Sequence, residues 1–291
     1  MTSDPGLRAR DTLALLGTKG GPAIRPGSTM PTANLLRLGQ HDIVVDCGLG
    51  VSRGLVDQGV SLSSLSLIFI THLHSDHYLE LGPLLHTAWT AGLATPVRVF
   101  GPTGLERYWH HFLASMETDI RLRIDDEGRP DLRELVSFRS IDAGTVLSEP
   151  GLEVTAIRNA HPPLIDTFSL AFSNADKRVV FSGDTAPFEA LSDFARGADL
   201  LVHEAMLEEA LPALFARVGN GDERLQRHWM RSHTLAHDAA DLAGRAGVGA
   251  LALNHLIPSD DPAYTPAHWQ HAARGFDGPL HVGSDGLIIP F

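Results

Sequence analysis

The sequence predicts a mixed α and β fold in one domain over residues 1–291. Short apolar runs with β-branched residues alternate with segments of helical spacing along the whole chain. No Pro/Gly/Ser-rich linker divides it, and histidines and aspartates recur where the apolar runs stop. With 43% hydrophobic residues, a chain of this length can bury a substantial core.

Thr12 to Leu16 reads as a first strand, and the Gly/Pro-rich stretch Gly17 to Gly27 as a loop able to lie close to a ligand. Ala33 to Leu38 and Asp42 to Val45 form a hairpin around Gly39-Gln40, closed by Asp46-Cys47-Gly48. Asp46 either braces the following loop by a hydrogen bond or caps the turn. Leu65 to Ile70 has the continuous apolarity of a strand buried on both faces. Tyr78 to Ala91 is helical, with Leu81, Leu84, Leu85 and Trp89 on one face and Gly92 as a stop. Pro96 to Phe100 is a strand.

The helix after Gly101-Pro102-Thr103 carries Tyr108, Trp109, His110, His111, Phe112 and Met116. Of these, Tyr108, Trp109, His110 and Phe112 are candidates for a substrate wall. The competing reading is a helix packed on the sheet with one wet face. Ile120 to Pro130 is charged and reads as a solvated loop. Leu135 to Phe138, Thr145 to Leu147 and Leu152 to Arg158 follow as strands, and Phe168 to Phe172 pairs with Arg178 to Phe181.

Pro187 to Arg196 is a helix, and Asp199 to Val202 a strand ending in His203-Glu204. Ala205 to Arg217 is a helix, Gly219 to Met230 a polar stretch, and Leu235 to Arg245 a helix with Thr234 as N-cap. Val248 to Leu253 runs into Asn254-His255, and strands at Leu280 to Val282 and Leu287 to Ile289 finish the chain.

The net charge of −12 disfavours a general polyanion-binding surface. A single cysteine, Cys47, excludes an internal disulfide and any cysteine-rich zinc site, so metal binding must use nitrogen and oxygen ligands. No apolar run spans a bilayer and no secretory signal is present, so a cytoplasmic location without a membrane partner is expected.

The densest chemistry is His72-Leu73-His74-Ser75-Asp76-His77, directly after an apolar strand. In extended backbone His72 and His74 point to one side. Once the chain turns at Ser75, Asp76 and His77 can face a second position about 3.5 to 4 Å away, the separation of two-metal sites. His161, Asp184, His203 and His255 also close apolar runs, and such ends can converge on one rim of a sheet.

These residues, taken in order, resemble the metallo-β-lactamase superfamily of binuclear metal hydrolases over nearly the whole chain. The loop at 72–77 is similar to its H-x-H-x-D-H motif, and His161, Asp184 in S-G-D-T and His255 follow in the family's order. The resemblance implies a four-layer αββα sandwich of two mixed sheets with outer helices. It also implies that His72, His74 and His161 hold one metal, that Asp76, His77 and His255 hold another, and that Asp184 bridges them. Leu15-Leu16-Gly17-Thr18, His203-Glu204-Ala205 and Ser232-His233-Thr234 look like the branch of ribonuclease Z and the arylsulfatase-like hydrolases. His161-Pro162-Pro163 and Gly101-Pro102-Thr103-Gly104 look more like the arylsulfatase-like members. No long basic insertion resembles the tRNA-grasping arm of ribonuclease Z.

Such a ligand set favours two divalent ions, zinc first, with manganese or iron as other occupants. The expected chemistry is hydrolysis by a metal-bridging hydroxide, with Asp76 orienting it or accepting its proton and His233 stabilising or protonating the leaving oxygen. A purely structural role is the alternative for His233. His203 and Glu204 are expected to orient ligands by hydrogen bonds. The leading substrate is a small anionic ester, either an aryl sulfate or a phosphodiester, with nucleic acid as the less favoured partner and a homodimer as the assembly. The alternatives are tRNA 3′-end processing of the ribonuclease Z type, a lactonase or phosphotriesterase, and a non-catalytic metal-binding module.

Overall fold

The computed structural model describes residues 11–219 and 221–291. The N-terminal residues, where a secretory signal would stand, lie outside that range. Fourteen strands are described. They are β1 (Thr12–Gly17), β2 (Ala33–Leu38), β3 (His41–Cys47), β4 (Leu67–Phe69), β5 (Val97–Gly101), β6 (Val136–Ser140) and β7 (Gly144–Glu149). β8 (Leu152–Arg158), β9 (Phe168–Ser173), β10 (Arg178–Phe181), β11 (Leu200–Met206), β12 (Leu251–Ile257), β13 (Leu280–Val282) and β14 (Leu287–Pro290) follow.

They form two seven-stranded sheets, ordered β14-β1-β2-β3-β4-β5-β6 and β13-β12-β11-β10-β9-β8-β7. Each sheet is mixed. β1, β2 and β3 are antiparallel neighbours, whereas β3 to β6 run parallel. In the second sheet β7 to β10 are antiparallel and β10 to β13 parallel.

Period-two alternation explains the layers. Along β1, Leu13 and Leu15 enter the core between the sheets, while Ala14 and Leu16 face the outer helices. Phe69 of β4 stacks on Phe100 of β5 at 4.6 Å and meets Phe172 of the opposite sheet edge-on at 5.1 Å. Outside the first sheet, Ile68 and Val99 pack with Leu84, Leu85 and Trp89 of the helix Leu81–Thr90. Outside the second, Leu201 and Leu253 pack with Ala239 and Ala243 of the helix Ala236–Ala246. The fold is therefore the expected αββα sandwich, with a helix layer on each outer face.

Several expected elements differ. The charged stretch Ile120 to Pro130 is largely the helix Glu117–Glu127, not a loop. Arg123 pairs one turn away on both sides, at 3.0 Å with Asp119 and 2.9 Å with Glu127, and Ile120 is buried. β11 extends to Met206, so the next helix begins only at Leu211 with a proline in its first turn. Part of the polar stretch 219–230 is the helix Arg224–Ser232. Leu235, not Thr234, occupies the N-cap, because the Thr234 hydroxyl donates to the Thr185 carbonyl at 2.6 Å. The run expected at Val248 to Leu253 starts later and continues through His255 as β12.

Candidate metal centre

All parts of the centre lie at or beside strand ends. His72 and His74 follow β4, and the chain then turns into the short helix Ser75–Tyr78 that carries Asp76 and His77. His161 follows β8, Asp184 follows β10, Glu204 lies on β11 and His255 on β12. Pairing of β11 with β12 skips His255, since Glu204 faces Asn254 and Ala205 faces Leu256. This bulge places His255 at φ 44°, an uncommon conformation for a non-glycine residue, and re-aims its side chain. Asp46 at the end of β3 is similarly unusual at φ 64°.

Two groups of four donor atoms result, each with all its members within 4.8 Å of one another, beside a third of Glu204, His233 and His255. One comprises His72, His74, His161 and Asp184, and the other Asp76, His77, Asp184 and His255. Asp184 belongs to both. Its Oδ2 lies 3.0 Å from His255 Nε2, 3.3 Å from His77 Nε2 and 3.6 Å from His72 Nε2. His161 Nε2 lies 2.9 Å from His74 Nδ1.

The outward ring nitrogens explain why the inward ones are free to act as ligands. His77 Nδ1 donates to Asp46 Oδ2 at 2.8 Å, and His161 Nδ1 donates to the Ser232 carbonyl at 2.7 Å. Each bond fixes the proton on Nδ1 and leaves a lone pair on Nε2, the usual support of a metal-binding histidine. Asp46 also accepts from the Thr71 amide at 2.8 Å, tying the loop to β3. His77 Nε2 and Asp184 Oδ1 are buried with no hydrogen-bond partner, a costly state that a bound cation relieves.

The field at the cluster favours positive charge. Burial opposes a charged His255, yet Asp184 and Asp76 outweigh it and push its pKa up to about 10. For His77 the same contest, against Asp184, Asp46 and Asp76, ends well above the ordinary value. Asp184 is held well below the ordinary carboxylate range despite its burial, chiefly by His255 and His77. Imidazole nitrogens and carboxylate oxygens in a buried, electronegative pocket fit divalent cations.

Beside the second group, His233 Nδ1 lies 2.8 Å from Glu204 Oε2, and the His233 ring stacks on His255 at 5.5 Å. Burial pushes His233 down to about 4 and, with repulsion from Asp184, raises the Glu204 carboxyl well above its usual value. The pair is suited to sharing one proton. His203 differs from expectation. Its Nδ1 donates to the Glu204 carbonyl at 2.7 Å and its Nε2 has no partner, so it orients none of the candidate ligands through a ring hydrogen bond. Its neighbours along β11, Leu201 and Ala205, belong to the core under the outer helices.

A cavity of about 390 Å³ opens over the cluster, where His74, Asp76, Asp184, His233 and His255 reach it. The expected aromatic wall is elsewhere. Trp109 is buried in the outer helix layer and stacks on Phe112 at 5.7 Å, and the Tyr108 hydroxyl donates to the Leu79 carbonyl at 2.9 Å. None of Tyr108, Trp109, His110 and Phe112 lines the cavity, because their helix packs on the far face of the first sheet. Its walls instead include Lys19, Gly20, Gly21, Leu214, His228 and Trp229. Leu225, His228, Trp229 and Ser232 are the less exposed positions of their helix, at helical spacing within the stretch that reads as merely polar.

Fold and centre define a metal-dependent hydrolase of the metallo-β-lactamase superfamily. The chain belongs to its ribonuclease Z branch and is 32% identical over 278 residues to a ribonuclease Z of Mycobacterium sp. strain KMS, covering 94% of this chain and 93% of that one. Residues 12–247 match the family described as anti-Pycsar protein Apyc1, and the chain is a member of that family. The metallo-β-lactamase fold protein YhfI from Bacillus subtilis superposes with a TM-score of 0.69 at 19% identity, covering 97% of this chain and 99% of that one. The short form of human tRNase Z gives 0.66 at 20% identity, with 96% and 98% covered. These two likenesses are of fold. No helix among the described residues is long and apolar enough to cross a membrane.

Proposed function

We propose that the protein is a binuclear, zinc-dependent phosphodiesterase acting on small, nucleotide-sized substrates. The observation that carries this reading is Asp184, one buried carboxylate shared by two complete donor groups beneath a single cavity. His72, His74 and His161 would hold one cation, Asp76, His77 and His255 the other, and Asp184 both. When bound, such a pair supplies an acidified water and neutralises charge on the oxygens of the ester.

The chain's own residues complete the chemistry. Asp76, which accepts from the Gly21 amide at 2.7 Å, is held in place to orient the attacking water. His233, braced by Glu204, delivers a proton to the leaving oxygen. Leu214, Val218, Leu225 and Trp229 give one side of the cavity an apolar surface for a planar or apolar group. The cavity's volume suits a ligand of nucleotide size. A phosphodiester is favoured over an aryl sulfate because the curated relatives are named for a ribonuclease, and RNA is a phosphodiester.

Those same relatives favour a second reading, endonucleolytic cleavage of RNA. The family description adds a proposed biological role, opposition to a Pycsar system. Zinc-loaded protein should be assayed on bis(p-nitrophenyl) phosphate, cyclic nucleotides, p-nitrophenyl sulfate and precursor tRNA. Chelator-sensitive turnover of the small diesters is the expected result. Faster cleavage of precursor tRNA establishes the second reading instead, and turnover of p-nitrophenyl sulfate alone refutes both.

A further inference from the structure

Lys19 is a nearly buried cation for which the chemistry described so far has no use. Its residue is 5% exposed, and its ammonium makes one hydrogen bond, to the Gly20 carbonyl at 3.3 Å. No carboxylate lies within ion-pair distance of it among the described residues. Asp260, whose field reaches it, is already paired with Arg217 at 2.8 Å and Arg25 at 3.4 Å. The backbone of Lys19 is fixed, its amide donating to the Met30 carbonyl at 2.9 Å and its carbonyl accepting from Thr32 Oγ1 at 3.2 Å.

The next two residues press on the metal centre. The Gly21 amide donates to Asp76, and a Cβ on Gly20 would lie 2.9 Å from the His255 ring. The Lys19 side chain lines the cavity shared by Asp76, Asp184 and His233. The charge balance then decides what it faces. Without cations, Asp260 and Asp76 attract it while Arg25 and Arg217 repel it. Two divalent ions would outweigh the cluster's carboxylates Asp76 and Asp184 and turn it net positive, which leaves the ammonium repelled unless an anion lies between. A buried ammonium with unused donors beside a cationic cluster is an anion-binding arrangement.

We propose that Lys19 is a substrate-binding residue that holds an anionic oxygen of the ester within this cavity, selecting anionic over neutral esters. This rests on the phosphodiesterase reading for the identity of the ester, while the anion site itself can be tested without turnover.

The test is calorimetric titration of inorganic phosphate into zinc-loaded wild type, Lys19→Met and Lys19→Arg, with zinc content and thermal midpoint measured on each. Loss of one charge-assisted contact is expected to weaken phosphate binding about 10- to 100-fold in Lys19→Met. Zinc content should be unchanged and Lys19→Arg should recover most of the affinity. Equal affinity in wild type and Lys19→Met, no phosphate binding by wild type, or zinc lost from Lys19→Met each overturns the proposal. An inactive wild type that still binds phosphate through Lys19 would refute the phosphodiesterase reading and leave the anion site standing.

Discussion

Nδ1 of His77 donates to Oδ2 of Asp46 at 2.8 Å, so a residue at the end of β3 fixes which nitrogen of a candidate ligand faces the cluster. The same carboxylate receives the Thr71 amide and therefore sets both the path of the loop and the tautomer of its histidine. Asp46→Ala is expected to weaken metal binding about 10- to 100-fold. Competition with a chelating dye measures it, and unchanged affinity would reduce Asp46 to a turn residue.

His233 and Glu204 separate proton delivery from metal holding. His233→Ala should lower kcat about 10²- to 10⁴-fold on a diester with a poor leaving group. Bound zinc should stay at the wild-type level, and the loss should shrink for p-nitrophenolate, which needs no proton. Zinc released by the substitution would mark His233 as a ligand instead.

Gly20 is a close-approach position. A Cβ there would meet Ile257 Cγ1 at 2.5 Å and the His255 ring at 2.9 Å, closer than such atoms normally come. Gly20→Ala should therefore displace His255 and weaken metal binding while the secondary structure, read by circular dichroism, is retained. Wild-type zinc affinity in that variant would show that the loop yields.

His203 makes folding stability depend on pH. Burial pushes its pKa down to about 4, with the bond to the Glu204 carbonyl acting the other way, so the unfolded chain binds this proton more readily. Its contribution is complete above the unfolded value near 6.5 and is lost as pH falls through the window down to about 4, a change of order 3 kcal/mol at most. Urea unfolding of metal-free wild type and His203→Phe between pH 7 and pH 5 checks this. The wild type should lose more stability across that interval than the variant.

The local chain determined much of this. The apolar run before Thr71 and the spacing of His72, His74, Asp76 and His77 are properties of adjacent residues, as are the strand-like runs before His161 and Asp184. Helix and strand periodicity likewise rest on neighbours a few positions apart, which is why most strands and helices were legible, whereas the two-sheet sandwich was implied by the resemblance. Elements whose support comes from elsewhere were not. Thr234 surrendered its capping role to a carbonyl 49 residues away, whereas the helix Glu117–Glu127 has local support, charge pairs four residues apart that a search for apolar periodicity passes over. Trp109 and Trp229 show the limit most clearly. Both are tryptophans on polar-looking helices, and only the packing of one helix outside the first sheet and the other over the strand ends makes Trp229 the cavity wall. The same holds for Lys19 and for the bulge at His255. Sequence fixes which donors exist, whereas their convergence depends on contacts between strands far apart in the chain, and these form only when the two sheets close on one another.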